Sequence, residues 1–193
     1  MSEIIKKKIK FNSDIMDIVS KKFYSFDTET TGLNPANDRI IELGCCEFIN
    51  LEPVKEFSTL VNAHHYIPPH VSRINNITNE MLSEAPEETE VYYYFCSFIK
   101  SVLEGKAIIV AHNASFDMNF LSNTLERLGF SGKLYYLDTL DLARRYLSLP
   151  NNKQTTIAEY FNIPIGNAHR ASDDALVCGK ILVNIINLLK NNQ

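Results

Sequence analysis

Residues 23–33 read FYSFDTETTGL, and the conformation of this stretch decides the architecture. Its first half is short and aromatic, and it runs into the turn signal TTGLNPAND at residues 30–38. That combination predicts a strand ending in a turn. In a strand, residues two apart share a face, with Cα atoms roughly 6.5 Å apart. Asp27 and Glu29 therefore point the same way. Two carboxylates on one face of a buried strand are costly unless a cation neutralises them. The plainer alternative is a pair of solvated acids at a strand end.

Working outward, RIIELGCCEFI (39–49) and EFSTLVN (56–62) are two more strand candidates, and together they predict an antiparallel meander. A polar, proline-bearing connection follows over residues 64–90, with NITNEML as a short helix inside it. VYYYFCSFIKSVL reads as a helix, with a strand as the alternative its aromatics permit, and KAIIVAHNAS as a buried strand, while FDMNFLSNTLERLGF is an amphipathic helix closed by Gly129. LYYLDTL is a further strand, DLARRYL and TTIAEYF are short helices, and residues 172–190 form a closing helix. Strands first in a meander and then alternating with helices predict an α/β protein with a mixed sheet. Residues 1–20 are expected as an N-terminal appendage, helix or arm, before a domain over 21–193.

Helical phase selects two more acids. Asp117 lies in line with Phe120, Leu121, Leu125 and Leu128, the stripe that should face the sheet. Ser115 is a candidate N-cap, so a dipole-stabilising acid in the first turn is the alternative reading. Asp174 lies in line with Val177, Cys178, Ile181, Ile185 and Leu188, whereas its neighbour Asp173 lies in line with Leu176, Lys180, Asn184 and Asn187. Periodicity thus predicts Asp174 inward and Asp173 solvated. His169 falls on the segment leading into this helix, close enough to lean over the same site. Hard oxygen ligands of this kind suit Mg²⁺ or Mn²⁺. Two such ions about 3.5–4 Å apart serve phosphoryl displacement, with His169 as the general base for the attacking water.

The totals narrow the classes. The chain has 193 residues, 45% hydrophobic and 22% charged, with a formal net charge of −4. An anionic substrate must therefore meet local cations, because no global basic field exists. Cys45, Cys46, Cys96 and Cys178 form no CxxC pair and read as buried apolar residues in a reducing compartment. No apolar run reaches the ~18 residues of a membrane span, and MSEIIKKKIKFNSD lacks a signal-peptide core. The chain is expected to be cytoplasmic, without a membrane partner. Lys6, Lys7, Lys8 and Lys10 read as a solvated basic tail, His64, His65 and His70 as surface residues without ligand spacing, and His112 as a structural or substrate-facing residue. Tyr92, Tyr93 and Tyr94 read as helix residues packing in part on the sheet.

Three segments in order, FDTETTGL, VAHNASFDMNFL and HRASDDA, resemble the motifs of the DnaQ-like (DEDDh) 3′→5′ exonuclease family over about residues 22–189. The resemblance implies an RNase H-like fold with a five-stranded mixed sheet flanked by helices. It implies two Mg²⁺ or Mn²⁺ ions held by Asp27, Glu29, Asp117 and Asp174, with His169 and Glu29 as catalytic residues. It also implies substrate contacts at Thr30, Leu33, Asn113 and Phe116. The implied activity is phosphodiester hydrolysis at single-stranded 3′ ends, of DNA first and RNA as the alternative, releasing 5′-mononucleotides in proofreading or repair. A DNA polymerase is the implied partner, and a silent nucleic-acid-binding module is the reading from another class. Where many members carry His-Gly, this chain has Asn75-Asn76 in INNIT, and it is expected to lack the long polymerase-binding tail of some proofreading subunits.

Overall fold

The computed structural model describes residues 3–166 and 170–191. Their strands are β1 (Ile4–Lys8), β2 (Lys22–Thr30), β3 (Ile40–Ile49), β4 (Glu52–Leu60), β5 (Ile108–Ala111) and β6 (Gly132–Asp138). The helices that position the site are α1 (Ser13–Lys21), α2 (Pro69–Asn75), α3 (Asn79–Ser83), α4 (Glu88–Phe98), α5 (Lys100–Leu103), α6 (Ser115–Arg127), α7 (Thr139–Tyr146), α8 (Gln154–Tyr160) and α9 (Ala171–Asn191). The sheet runs β1-β6-β5-β2-β3-β4. β2, β3 and β4 form the antiparallel meander, while β1, β6, β5 and β2 are mutually parallel.

The sheet has six strands rather than five. The extra one is β1, from the Lys-rich stretch expected as a solvated tail. Only Ile4 of β1 is buried, so the strand carries no alternating signature. Parallel pairing with β6 holds it at the edge, and Lys6 reaches Asn119 and Ser122 on α6. Charged lysines along an edge strand also discourage pairing with other chains. α1 follows, capped by Asn12, whose side chain accepts from the Ile15 N–H.

Alternation along β2 supplies both faces with core. Tyr24 and Phe26 pack among Val91, Phe95, Met118 and Leu121 of α4 and α6. Phe23 packs on the other face among Val177, Ile181 and Ile185 of α9. Phe23 also stacks on Phe48 of β3 with centroids 4.6 Å apart. Burying each such ring is worth about 1.5–3 kcal/mol relative to exposure, so the register of β2 is tightly held. Tyr92 is fully buried, whereas Tyr93 and Tyr94 stay exposed. Ser115 does not cap α6: Ala114 occupies that position with no side-chain cap bond. All four cysteines are free and buried. Among the described residues, no helix is long and apolar enough to cross a membrane.

Candidate active site

The parity of β2 that buries Phe23 against α9 carries Asp27 and Glu29 to that same face. α9 meets them with Asp174, and carboxylate oxygens of Asp27, Glu29 and Asp174 lie within 4.8 Å of one another. Val177, Cys178, Ile181 and Ile185 are buried in line with Asp174, while Asp173, expected to be solvated, is half-buried like Asp174.

Close approach of α9 depends on Gly44. In the register of β2 and β3, Gly44 stands opposite Asp27. A Cβ on Gly44 would lie 2.0 Å from the carbonyl carbon of Ala171, so only glycine lets the helix start settle there. Glu42, two residues earlier on β3 and opposite Glu29, fixes the same start. Its fully buried carboxylate accepts from Arg170 Nε at 2.9 Å and Nη2 at 2.6 Å, and from the Ala171 N–H at 3.1 Å.

Asp117 arrives from the other side of β2. β5 stops at Ala111, and beyond it the Thr28 N–H finds the Asp117 Oδ1 at 3.1 Å in place of a strand carbonyl. The Thr28 hydroxyl donates to the same oxygen at 2.9 Å. The loop between β5 and α6 is pinned in turn. Asn113, at φ +61°, donates its N–H to Asp138 Oδ1 at 3.0 Å, and that oxygen also accepts from the Leu140 N–H at the start of α7. His112 is half-buried, and that partial burial lowers its pKa; its Nε2 donates to the Asn152 carbonyl at 3.0 Å and its Nδ1 lies 2.9 Å from the Thr139 hydroxyl. It is a structural post.

Electrostatics mark the acids as a strained group. Burial, then repulsion from Asp117, Asp174, Glu29 and Glu42, drives the Asp27 carboxyl well above the usual carboxylate range. Glu29 is pushed up to about 7, mainly by burial, with Glu42, Asp174 and Asp117 adding repulsion; the nearby Asn75 amide works in the opposite direction. Asp117 is raised by burial against the opposing bonds from Thr28. Hard oxygen donors, crowded and partly dehydrated, fit a divalent cation, which would relieve both the repulsion and the desolvation.

Beside the acids, a pocket of about 330 Å³ is lined by Thr30, Leu33, Val71, Ile74, Asn75 and Phe116, with His70 at its edge. Leu33 is 83% exposed, so it stands out of the core as an apolar edge. The Thr30 hydroxyl donates to the Gly32 carbonyl at 2.6 Å. Asn113 does not join this group and lines a second groove with His112. His70 and Asn75 reach the pocket on α2, a helix that the sequence pattern missed. His64 pairs with Glu87 instead. His169 lies outside the described residues.

Comparison with known proteins places these features in context. The exonuclease family model of the RNase T type matches residues 25–182. The chain is 38% identical over 170 residues to the DNA polymerase III subunit epsilon of Treponema pallidum, covering 85% of this chain and 76% of that protein. It is 36% identical over 170 residues to a PolC-type DNA polymerase III of Caldanaerobacter subterraneus, covering 88% of this chain but spanning only 12% of the polymerase. Among solved structures, exonuclease X in complex with 5′ overhanging duplex DNA superposes with a TM-score of 0.66 at 26% identity, covering 86% of this chain and 92% of that one.

Proposed function

This chain belongs to the exonuclease family whose model matches residues 25–182, and from that premise we propose that it is a metal-dependent 3′→5′ exonuclease acting on single-stranded DNA ends. The observation that carries the reading is the cluster of Asp27, Glu29 and Asp174, with carboxylate oxygens within 4.8 Å of one another. Asp117, held by Thr28, completes the set that would hold two ions, Mg²⁺ or Mn²⁺. When bound, such a pair supplies the positive charge that in-line phosphoryl displacement requires.

The chain's own residues do the rest. His169 accepts the proton of the attacking water. The apolar edge of Leu33 and the ring of Phe116 hold the terminal base, and Thr30 faces the 3′ end. The relatives named as polymerase III proteins support a place beside a DNA polymerase, in proofreading or repair. Four free thiols suit a reducing compartment such as the cytoplasm.

Digestion of 3′- and 5′-labelled single strands of matched DNA and RNA, with Mn²⁺, Mg²⁺ or EDTA, tests this reading. Stepwise loss of 5′-mononucleotides from the DNA 3′ end, abolished by EDTA, is expected. Faster RNA turnover would make the chain an exoribonuclease, and an intact strand under all metals would leave only a binding module.

A further inference from the structure

The acids adjoin two concavities, of which only one carries cations. On one side is the pocket edged by Leu33, Ile74 and Phe116. On the other is a groove of about 530 Å³, lined by Arg144, Lys153, Gln154, His112, Asn113 and Asn152 beside the apolar Leu140. Gln154 marks the junction, since its Nε2 donates to the Asp174 carbonyl at 3.1 Å and to Asp174 Oδ1 at 3.3 Å. The groove therefore adjoins the acid cluster through Gln154.

Its cations are among those that no carboxylate engages. Lys8, Lys22, Lys100, Lys106, Arg127 and Arg170 are each engaged by a carboxylate. Arg144 and Lys153 are exposed, and among the described residues neither forms a salt bridge. Arg144 lies near enough for its charge to act on His112. In a chain of net charge −4, two unengaged cations in one groove beside crowded carboxylates are placed for an anion that continues past the acids. The floor is also preorganised. His112 ties the loop after β5 to the Asn152 carbonyl and to Thr139, so the groove does not have to order itself around a ligand.

We propose that this groove carries the phosphodiester backbone of the single strand upstream of the scissile bond, with Arg144 and Lys153 each meeting a phosphate. The assignment rests on the exonuclease reading for its direction: the terminal base enters the apolar pocket and the rest of the strand leaves through the basic groove. Phosphate contacts are sequence-independent, so the groove adds affinity and grip on longer strands without reading bases.

The test uses the full chain with Arg144→Gln and Lys153→Gln, singly and together. Lys55→Gln on the far edge strand serves as the charge control. Binding of 5′-labelled dT10 and dA10 is followed by fluorescence anisotropy in EDTA over a salt series. Turnover of p-nitrophenyl thymidine 5′-phosphate and of dT10 is measured with Mn²⁺. The double variant should bind both oligomers about tenfold more weakly, and its salt slope should flatten by about 0.7 for each cation removed. Its loss should be larger on dT10 than on the ester, while Lys55→Gln tracks the wild type. Unchanged binding and slope in the double variant would overturn the groove, as would a wild-type chain that does not bind. A wild type that binds but hydrolyses neither substrate, with the variant still weakened, would overturn the hydrolase reading and leave the groove standing.

Discussion

Glu42 on β3 grips Arg170, at the threshold of α9, through two hydrogen bonds that the guanidinium donates to its fully buried carboxylate. The two partners are unequal, because the Arg170 side chain is 43% exposed. Removing the arginine strands a buried charge, which costs about 3–5 kcal/mol. Removing the carboxylate lets the guanidinium turn to water. Arg170→Gln should therefore destabilise the chain more than Glu42→Gln. Both should slow turnover, because each loosens the helix start that presents Asp174. Denaturant melts of the two variants check the order, and equal losses would mean that removing the arginine strands no charge.

Gly44→Ala tests the close approach directly. The added Cβ meets Ala171 backbone rather than a yielding side chain. Overpacking of this kind costs about 1–3 kcal/mol. The larger effect should be on rate, since a shift of an ångström at a reacting centre costs about 10²-fold. A variant with normal kcat would show that Asp174 does not depend on this contact.

The raised carboxyls predict an unusual pH dependence without metal. Folded Glu29 keeps its proton up to about 7, whereas the unfolded chain releases it near ~4.3. Between those values the folded state binds more protons. Stability from this group is thus fully present below pH ~4 and lost as pH rises through about 7. Melting temperature in EDTA should fall from pH 5 to pH 8, and Mn²⁺ should remove the fall. Glu47 and Glu104 have lowered values and act in the opposite sense at more acid pH, and His112, lowered by burial, offsets part of the fall as pH rises toward its unfolded value. A melting temperature that climbs over this window would sink the repulsion argument.

Asp27→Asn should separate stability from function. It deletes a charge that the neighbours oppose, so the metal-free variant should melt above the wild type at pH 8 while cleaving nothing. Asp174→Asn should also be inactive, and Asp173→Asn active. An inactive Asp173→Asn beside an active Asp174→Asn would reverse the helix-face assignment.

Much of the site was legible because its signals are local. Strand parity placed Asp27 and Glu29 together, and helical phase turned Asp117 and Asp174 inward. The parts that escaped are long-range. Glu42 and Arg170 are 128 residues apart, so no spacing announces their pairing, and Gly44 looks like any strand glycine until α9 is seated on it. β1 escaped because only Ile4 is buried in IIKKK; a parallel edge strand held mostly by its backbone leaves little hydrophobic pattern. α2 escaped because Pro69 opens a short helix in a polar loop, and with it went His70; Asn75 stood out only as a departure from the His-Gly of the family.

The register of β2 has a consequence for how this protein fails. Phe23 and Asp27 face α9, while Tyr24, Phe26 and Thr28 face α4 and α6. A slip by one residue against β3 would send every one of them to the wrong layer, burying carboxylates in the aromatic core and offering phenylalanine to the metal site. No partly slipped form could retain a fraction of the activity. A register error therefore lowers the fraction of active molecules and leaves the rate of the correctly paired ones unchanged.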